Sequence, residues 1–491
     1  MNKFYLTTAI PYVNAPPHLG HALEFVQADV IARYRSLKGD EVYLTTGADE
    51  NALKNVRAAE KEGVPVQELI DRNAKLFGDF ASKLNVRYDG FGRGSDQKNH
   101  WPGVVELWKR CEARGDIYKK SYDGLYCVGH EAFLTEKDLV NGLCPDHQTK
   151  PELVAEENYF FRLSRYQKKL EELIGSGDYR IIPDSRQKEV LNFIKGGLED
   201  FSVSRSNDRA KNWGVPCPGD PSQRIYVWFD ALGIYLTTIG FGTNKGKFEK
   251  WWPADVHVIG KDIIRFHAVY WPAILFSADL PLPKTLFVHG FVNSGGQKMS
   301  KTVGNVIDPE DYIKEFGADA LRYFLLAEIP ATEDGDFTRD KFITRYNADL
   351  ANGLGNLAAR ILTLGEGFDS SGLEVDGNLK SLIDGTWGEY NAEFSLSSSH
   401  PFNTNGAIRK VWDLIHSIDE FIQTKKPWES KDKKVIYSLL YSLGNIAFLV
   451  RPFLPDTSDR IFAGLGVSPS DTVWVFKPKK IQPLFPRFEV H

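Results

Sequence analysis

The sequence predicts an α/β protein: a doubly wound parallel sheet, split by an insertion and followed by an α-helical bundle. Three observations predict it. Short apolar runs alternate with amphipathic helical patterns from residue 4 to about 115 and resume after about 225, the rhythm of a parallel sheet with crossover helices. Between these stretches, turns and a Cys/His constellation interrupt that rhythm. Beyond about residue 345 strand patterns vanish and long helical periodicities take over.

Phe4 to Ile10 is an apolar run that reads as a strand, and Ala22 to Leu37 has helical spacing at Leu23, Val26, Val30, Ile31 and Tyr34. Between them Pro11 to His21 holds Asn14, two prolines and Gly20, all pattern breakers. A strand–turn–helix unit presents backbone N–H groups and a positive helix end to a phosphate. His18 and His21 stand at that helix start, where each imidazole can donate to phosphate oxygen or simply cap the helix. Glu41 to Thr46 reads as a second strand ending in Gly47-Ala-Asp49-Glu50. Carboxylates at a strand end face the ligand crevice of such sheets, so Asp49 suits an ammonium group; it can equally cap a helix beginning near Asn51. Helical patterns follow at Val66–Leu84 and His100–Arg114.

In the interrupted stretch, Cys127-Val-Gly-His130 and Cys144-Pro-Asp-His147 each place two metal-ligand types three apart. Two such turns can aim four ligands at one tetrahedral zinc; the alternative is two buried cysteines and two surface histidines. The αβ rhythm returns with Arg224–Asp230 read as a strand, Ala231–Thr238 as a helix, Val256–Gly260 as a strand, Ile263–Phe276 as a helix and Leu286–Val292 as a strand. Next comes the glycine-flanked loop Gly295-Gly-Gln-Lys298-Met-Ser-Lys301-Thr302-Val-Gly304, whose two lysines can converge on a polyanion. Asn347–Leu364, Ala407–Thr424 and Val435–Pro452 read as long helices, Gly365–His400 as a link, and Trp474–His491 as a tail that packs back. Trp428 sits in the basic stretch Lys425–Lys434, where it serves either helix packing or the stacking contacts that read single-stranded RNA.

Composition bounds the rest. A chain of 491 residues exceeds one core, and its 42% hydrophobic content supports two to four globular domains. No apolar run approaches the ~18 residues that span a bilayer. The early first strand leaves no room for a presequence, and four cysteines suit a reducing cytoplasm. A net charge of −5 excludes nucleic-acid binding by the global field and leaves only local basic patches.

His18-Leu-Gly-His21 and Lys298-Met-Ser-Lys301-Thr302 stand about 280 residues apart in an αβ frame. That pairing resembles the class I aminoacyl-tRNA synthetases, whose loop reads Lys-Met-Ser-Lys-Ser. Along nearly the whole chain the context is similar to the methionyl-tRNA synthetase family. The similar segments are Ala9–Asn14, Gly47–Glu50, Tyr226–Ala231, Gly260–His267 followed by Trp271-Pro272, Leu286–Gly290 and Asn347–Asn356. The chain departs from the family pattern at Leu19, Thr302, Asn51-Ala52 (where the family often continues His-Gly) and His130 (where knuckle-bearing relatives usually carry Cys).

The resemblance implies a Rossmann-like catalytic domain in two halves, 1–115 and 226–285, around a connective insertion, 116–225, with a zinc-knuckle-like loop. It further implies a lysine-loop and stem-contact region, 286–345, a helical anticodon-binding domain, 346–470, and a tail, 471–491, on the body. The activity it implies is methionine–tRNA ligation by way of methionyl-adenylate, with ATP and Mg²⁺. The implied methionine pocket is Ala9, Ile10, Tyr12, Asp49, Trp228, Ala231, Leu232, Tyr235, Ile263 and His267. The implied ATP-binding residues are His18, Gly20, His21, Gly260, Asp262, Lys298 and Lys301, of which the histidines and lysines are catalytic. Asn356, Arg360 and Trp428 are the implied readers of the CAU anticodon, and Cys127, His130, Cys144 and His147 the candidate Zn²⁺ ligands. Expected partners are L-methionine, ATP and tRNA(Met), the initiator included, with no membrane and no DNA. The absence of an appended dimerisation domain leads us to expect a monomer, and the lack of a presequence a cytoplasmic one. Two other functions compete: another adenylyl-transferring enzyme with the same phosphate machinery, or a non-catalytic tRNA-binding protein on the same scaffold. Methionine-dependent ATP–pyrophosphate exchange separates all three.

Overall fold

The computed structural model of the chain describes residues 2–128, 132–134, 136–145, 148–299, 305–368, 373–398, 401–471 and 474–489. The chain divides into two compact units: Met1–Pro17 with Gly39–Phe80 and Arg87–Val288, and His18–Lys38 with Ala81–Val86 and His289–His491. None of the described helices is long and apolar enough to cross a membrane.

The first unit is built on a six-stranded sheet in the order Gly90–Arg93, Glu41–Ala48, Lys3–Thr7, Val256–Gly260, Thr285–His289, Arg180–Ile182. Lys3–Thr7 pairs in parallel with Glu41–Ala48 on one side and with Val256–Gly260 on the other. Val256–Gly260 is buried at every position, as an inner parallel strand covered on both faces must be. From Lys3–Thr7 the chain order runs outward through Glu41–Ala48 to Gly90–Arg93 on one side and through Val256–Gly260 to Thr285–His289 on the other, where Arg180–Ile182 is added at the edge. The carboxyl ends of Lys3–Thr7 and Val256–Gly260 therefore mark the switch point at which such sheets open a ligand crevice.

Three expectations are corrected here. Arg224–Asp230 is not one strand: a strand covers Asp220–Ile225 and a helix begins at Val227. That helix, Val227–Thr237, is buried at every position, so it shows no amphipathic stripe, and its aromatic start mimics a strand. The insertion does more than interrupt the sheet. It folds largely as small antiparallel sheets, yet Arg180–Ile182 pairs in parallel with Thr285–Phe287 of the main sheet. The expected helix Ile263–Phe276 is a 3₁₀ turn, Lys261–Ile263, a π turn, Phe266–Tyr270, and an α-helix, Trp271–Ser277. Pro272 lacks the N–H that a continuous α ladder needs, and the wide turn lies just before it.

The second unit is helical. Asn356–Leu364, Thr404–Lys425, Lys433–Val450 and Pro455–Leu465 are joined by Gly377–Glu393, which lies inside the stretch expected as a link. Its buried Leu379, Ile383, Thr386 and Tyr390 have helical spacing, but Gly385 and Gly388 dilute the pattern. Asp376 caps it by accepting from the N–H groups of Asn378 and Leu379. At the centre of this unit Arg322 is fully buried and donates to the carbonyls of Leu84, Pro452 and Phe453 and to Asp29. Phe476, Leu484 and Phe485 of the tail are buried, and Phe488 exchanges two 2.9 Å hydrogen bonds with the Asn347 side chain.

Candidate active site

In the first unit the switch point gathers the residues expected at the amino-acid pocket. Ala9, Ile10 and Tyr12 follow the strand Lys3–Thr7, Asp49 ends Glu41–Ala48, and Gly260, Asp262 and Ile263 end Val256–Gly260. Tyr12 and Asp49 form a parallel bridge, in which the Asp49 N–H donates to Pro11 O at 2.8 Å. The Asp49 carbonyl accepts from Asn55 Nδ2 at 2.9 Å. Asp49 is 3% exposed, so its carboxylate stands in a low-dielectric setting where a cation partner is strongly favoured.

The helix Val227–Thr237 brings Trp228, Ala231, Leu232 and Tyr235, all buried. Trp228 takes the edge of Tyr12, with ring centroids 6.2 Å apart, and stacks flat on Phe266 at 3.7 Å. His267 stands edge-on to the same indole at 6.3 Å. The His267 ring is oriented at both nitrogens. Nδ1 lies 3.0 Å from Ile263 O, which can only accept, so the proton sits on Nδ1. Burial pushes the His267 pKa down to about 4, so at neutral pH Nε2 is bare and accepts from the Tyr235 hydroxyl at 2.8 Å. The result is an aromatic cluster with one fixed tautomer, and Asp49 is bridged to its Tyr12.

Phe266 was not among the expected pocket residues. Its signal was adjacency to His267; what hides it is the π turn, which changes the side-chain register that α-periodicity assumes. The Lys54 ammonium, 3.5 Å from the Tyr12 ring centroid, was missed as well, since cation–π pairs carry no sequence pattern.

In the second unit His18 is the N-cap of the helix Leu19–Leu37. Its Nδ1 accepts from the Gly20 N–H at 3.1 Å, and the His18 N–H donates to His21 Nδ1 at 3.2 Å. The two rings stack 3.9 Å apart. Capping and phosphate donation are thus compatible: with both Nδ1 atoms accepting, each proton sits on Nε2. A Cβ on Gly20 would stand 2.9 Å from the His18 ring, so glycine is what lets the imidazole fold over the turn. His21 titrates well below the ordinary imidazole range, through burial first and then the charges of His18 and His289. It is a neutral donor at physiological pH, not an ion-pair partner.

Gly295 and Gly296, with φ of 61° and 74°, close a two-residue hairpin between Val292–Ser294 and Gln297–Lys298. Lys298 is held on that short strand, opposite Asn293. Lys301 and Thr302 lie outside the described residues.

Also in this unit, Asn356 and Arg360 share one helix and line a cavity of about 440 Å³ with Asn352, His416 and Asp419. Arg360 pairs with Asp419 across the helices. Trp428 is 46% exposed on the one-turn helix Pro427–Ser430, entered through Lys426 at φ 42°. Of the candidate zinc ligands, Cys127 ends the strand Ile117–Cys127 and Cys144 O accepts from Gln148 N at 2.8 Å; both cysteines are buried. His130 and His147 lie outside the described residues.

A family model described as tRNA synthetases class I (M) matches residues 4–151 and 137–362. The methionine–tRNA ligase of Caldanaerobacter subterraneus subsp. tengcongensis is 40% identical over 516 residues, covering 99% of this chain and 79% of the relative. That of Mycobacterium bovis is 37% identical over 520 residues, covering 100% and 98%. Among solved structures, Mycobacterium tuberculosis methionyl-tRNA synthetase in complex with methionyl-adenylate superposes with a TM-score of 0.92 at 37% identity, covering 99% of this chain and 100% of that one. Its apo form gives 0.86 at 34% identity, with 100% of this chain and 99% of the other covered. With the switch-point crevice and the aromatic box in place, a match of this extent means that the chain belongs to the methionine branch of the class I tRNA synthetases.

Proposed function

We propose that the chain selects methionine in the aromatic box around Trp228 and performs the family's two-step ligation with the residues assigned below. In the first step a carboxylate oxygen of methionine bonds to the α-phosphorus of ATP. The bond from that phosphorus to the bridging oxygen breaks, and pyrophosphate leaves with the electron pair. In the second, the 2′-hydroxyl of the terminal tRNA adenosine bonds to the methionyl carbonyl carbon, loses its proton and displaces AMP. The substrates supply both nucleophiles, so the protein's work is positioning and charge stabilisation.

Asp49 neutralises the α-ammonium. Ala9, Ile10, Tyr12, Trp228, Ala231, Leu232, Tyr235, Ile263 and His267 enclose the side chain. The observation that carries this is the box itself: Trp228 between the Tyr12 edge and the Phe266 face, with His267 locked neutral. A thioether gains ~0.3–1.5 kcal/mol at each such ring contact. Homocysteine lacks one methyl, which limits discrimination by size to about 10–200-fold. We assign its rejection to this same site.

His18, Gly20 and His21 meet the triphosphate at the helix start, as donors added to the positive helix end. Gly260 and Asp262 hold the adenosine, with Asp262 at the ribose. Lys298 and Lys301 clamp the departing pyrophosphate. Mg²⁺ supplies further neutralisation of phosphate charge. Cys127 and Cys144 are buried thiols that would hold a structural Zn²⁺ together with His130 and His147. Asn356, Arg360 and Trp428 read the CAU anticodon of tRNA(Met), elongator and initiator alike, by stacking and base-edge contacts. We assign the enzyme to the cytoplasm, as a monomer.

The test is ATP–pyrophosphate exchange across a panel of amino acids. Methionine should support exchange and isoleucine, valine and leucine should not. Equal exchange with isoleucine, or none with methionine, overturns the assignment.

A further inference from the structure

We propose that Asn51 is a positioning residue for methionine, acting through Asp230; the proposal rests on the assignment of Asp49 and Trp228 to the amino-acid pocket. Asn51 is 9% exposed, and its amide nitrogen donates to Gly94 O at 2.7 Å and to Asp230 Oδ2 at 2.6 Å. Asp230 is 1% exposed; its other oxygen, Oδ1, accepts from His100 Nε2 at 2.7 Å, and His100 Nδ1 lies 2.8 Å from the Thr237 hydroxyl. Thr237 belongs to the same helix as Asp230, so the chain of contacts grips that helix at two places.

The location is what gives this network its meaning. Asn51 lies two residues after Asp49, and Asp230 lies between Trp228 and Ala231. The 2.6 Å bond therefore ties the ammonium end of the pocket to its side-chain wall. Glu50, between Asp49 and Asn51, is fully buried and anchored separately to Arg93 and Ser95. The two residues after Asp49 are thus both tied into the support. A buried carboxylate that loses one of its donors is costly, and the cheapest relief is a shift of the helix or entry of water. Either one changes the distance between the Asp49 carboxylate and the Trp228 box.

The experiment measures exchange kinetics with Asn51→Ala. Methionine KM should rise roughly tenfold while kcat per titrated active site and ATP KM stay within about twofold. A residue that only supports folding would lower the number of active sites and leave methionine KM alone. Asn51→Asp is a second, isosteric variant: it sets a carboxylate against Asp230, among His100, Asp49, Glu50 and Arg93. Its methionine KM should be higher at pH 8 than at pH 6, where the two carboxylates can share a proton. Asp49→Ala is the control, expected to raise methionine KM by more than about 100-fold. If it does not, the pocket assignment fails. If it does while both Asn51 variants keep the parent methionine KM, or if neither Asn51 variant folds, only the positioning proposal fails.

Discussion

The proposed amino-acid box and the proposed anticodon face hold their aromatic side chains in opposite states. Trp228 is buried, flanked by Tyr12 and Phe266 and held on a helix without an exposed residue. Trp428 is 46% exposed on a single helical turn, and Arg360 is engaged with Asp419 on the surface. The first arrangement is pre-organised, so little ordering entropy is spent when a small apolar side chain enters. The second offers a stacking surface and a charge that RNA must draw from an existing partner. In the proposed assignment one region fixes its ligand by shape, and the other takes a ligand that brings its own structure.

The largest test of this contrast lies outside both regions. Lys301→Ala should lower the rate of methionine-dependent exchange by ~10²–10³, the effect of one lost transition-state donor, and leave methionine binding unchanged. Tighter or weaker methionine binding in that variant would mean that the box and the leaving-group clamp are not separable. Trp228→Ala should reduce kcat/KM for methionine by about 10², as for a buried hot-spot aromatic, and should leave tRNA binding intact in a filter assay. Trp428→Ala should lose ~5–150-fold in charging efficiency, the worth of one base stack, with exchange unaltered.

A pH measurement sharpens the claim that the box is rigid. The His267 pKa lies near 4 in the folded protein against 6.5 when free. Between these values the unfolded chain binds the proton and the folded chain does not, so stability falls as pH drops from 6.5 toward 4. The loss from this group is roughly 3 kcal/mol at the acid end. Urea midpoints at pH 7 and pH 5 should differ less in His267→Gln than in the parent. The smallest expected effect is Asp419→Asn: the Arg360–Asp419 pair is about as exposed as other surface pairs, worth under ~1 kcal/mol, so charging should change by less than about fivefold.

Much of the fold was legible because buried strands and amphipathic helices alternate along the catalytic halves. Legibility failed where periodicity carries no information. Val227–Thr237 is buried all round. Gly377–Glu393 carries two glycines within its pattern. Arg180–Ile182 is an edge strand of three residues inside an insertion. The expected pocket residues came from the family resemblance, and they lie at the ends of Lys3–Thr7, Glu41–Ala48 and Val256–Gly260, in the turn after the last of these, and on the helix Val227–Thr237. Phe266 and the Asn51–Asp230–His100 chain did not emerge, because each depends on contacts between residues far apart in sequence.

The most direct test of the central claim, that methionine is chosen in one region and tRNA in another, is exchange and charging measured side by side on Trp228→Ala and Trp428→Ala. The account predicts that the first variant loses methionine-dependent exchange and that the second keeps exchange and loses charging. Loss of both activities to the same extent in both variants would contradict it.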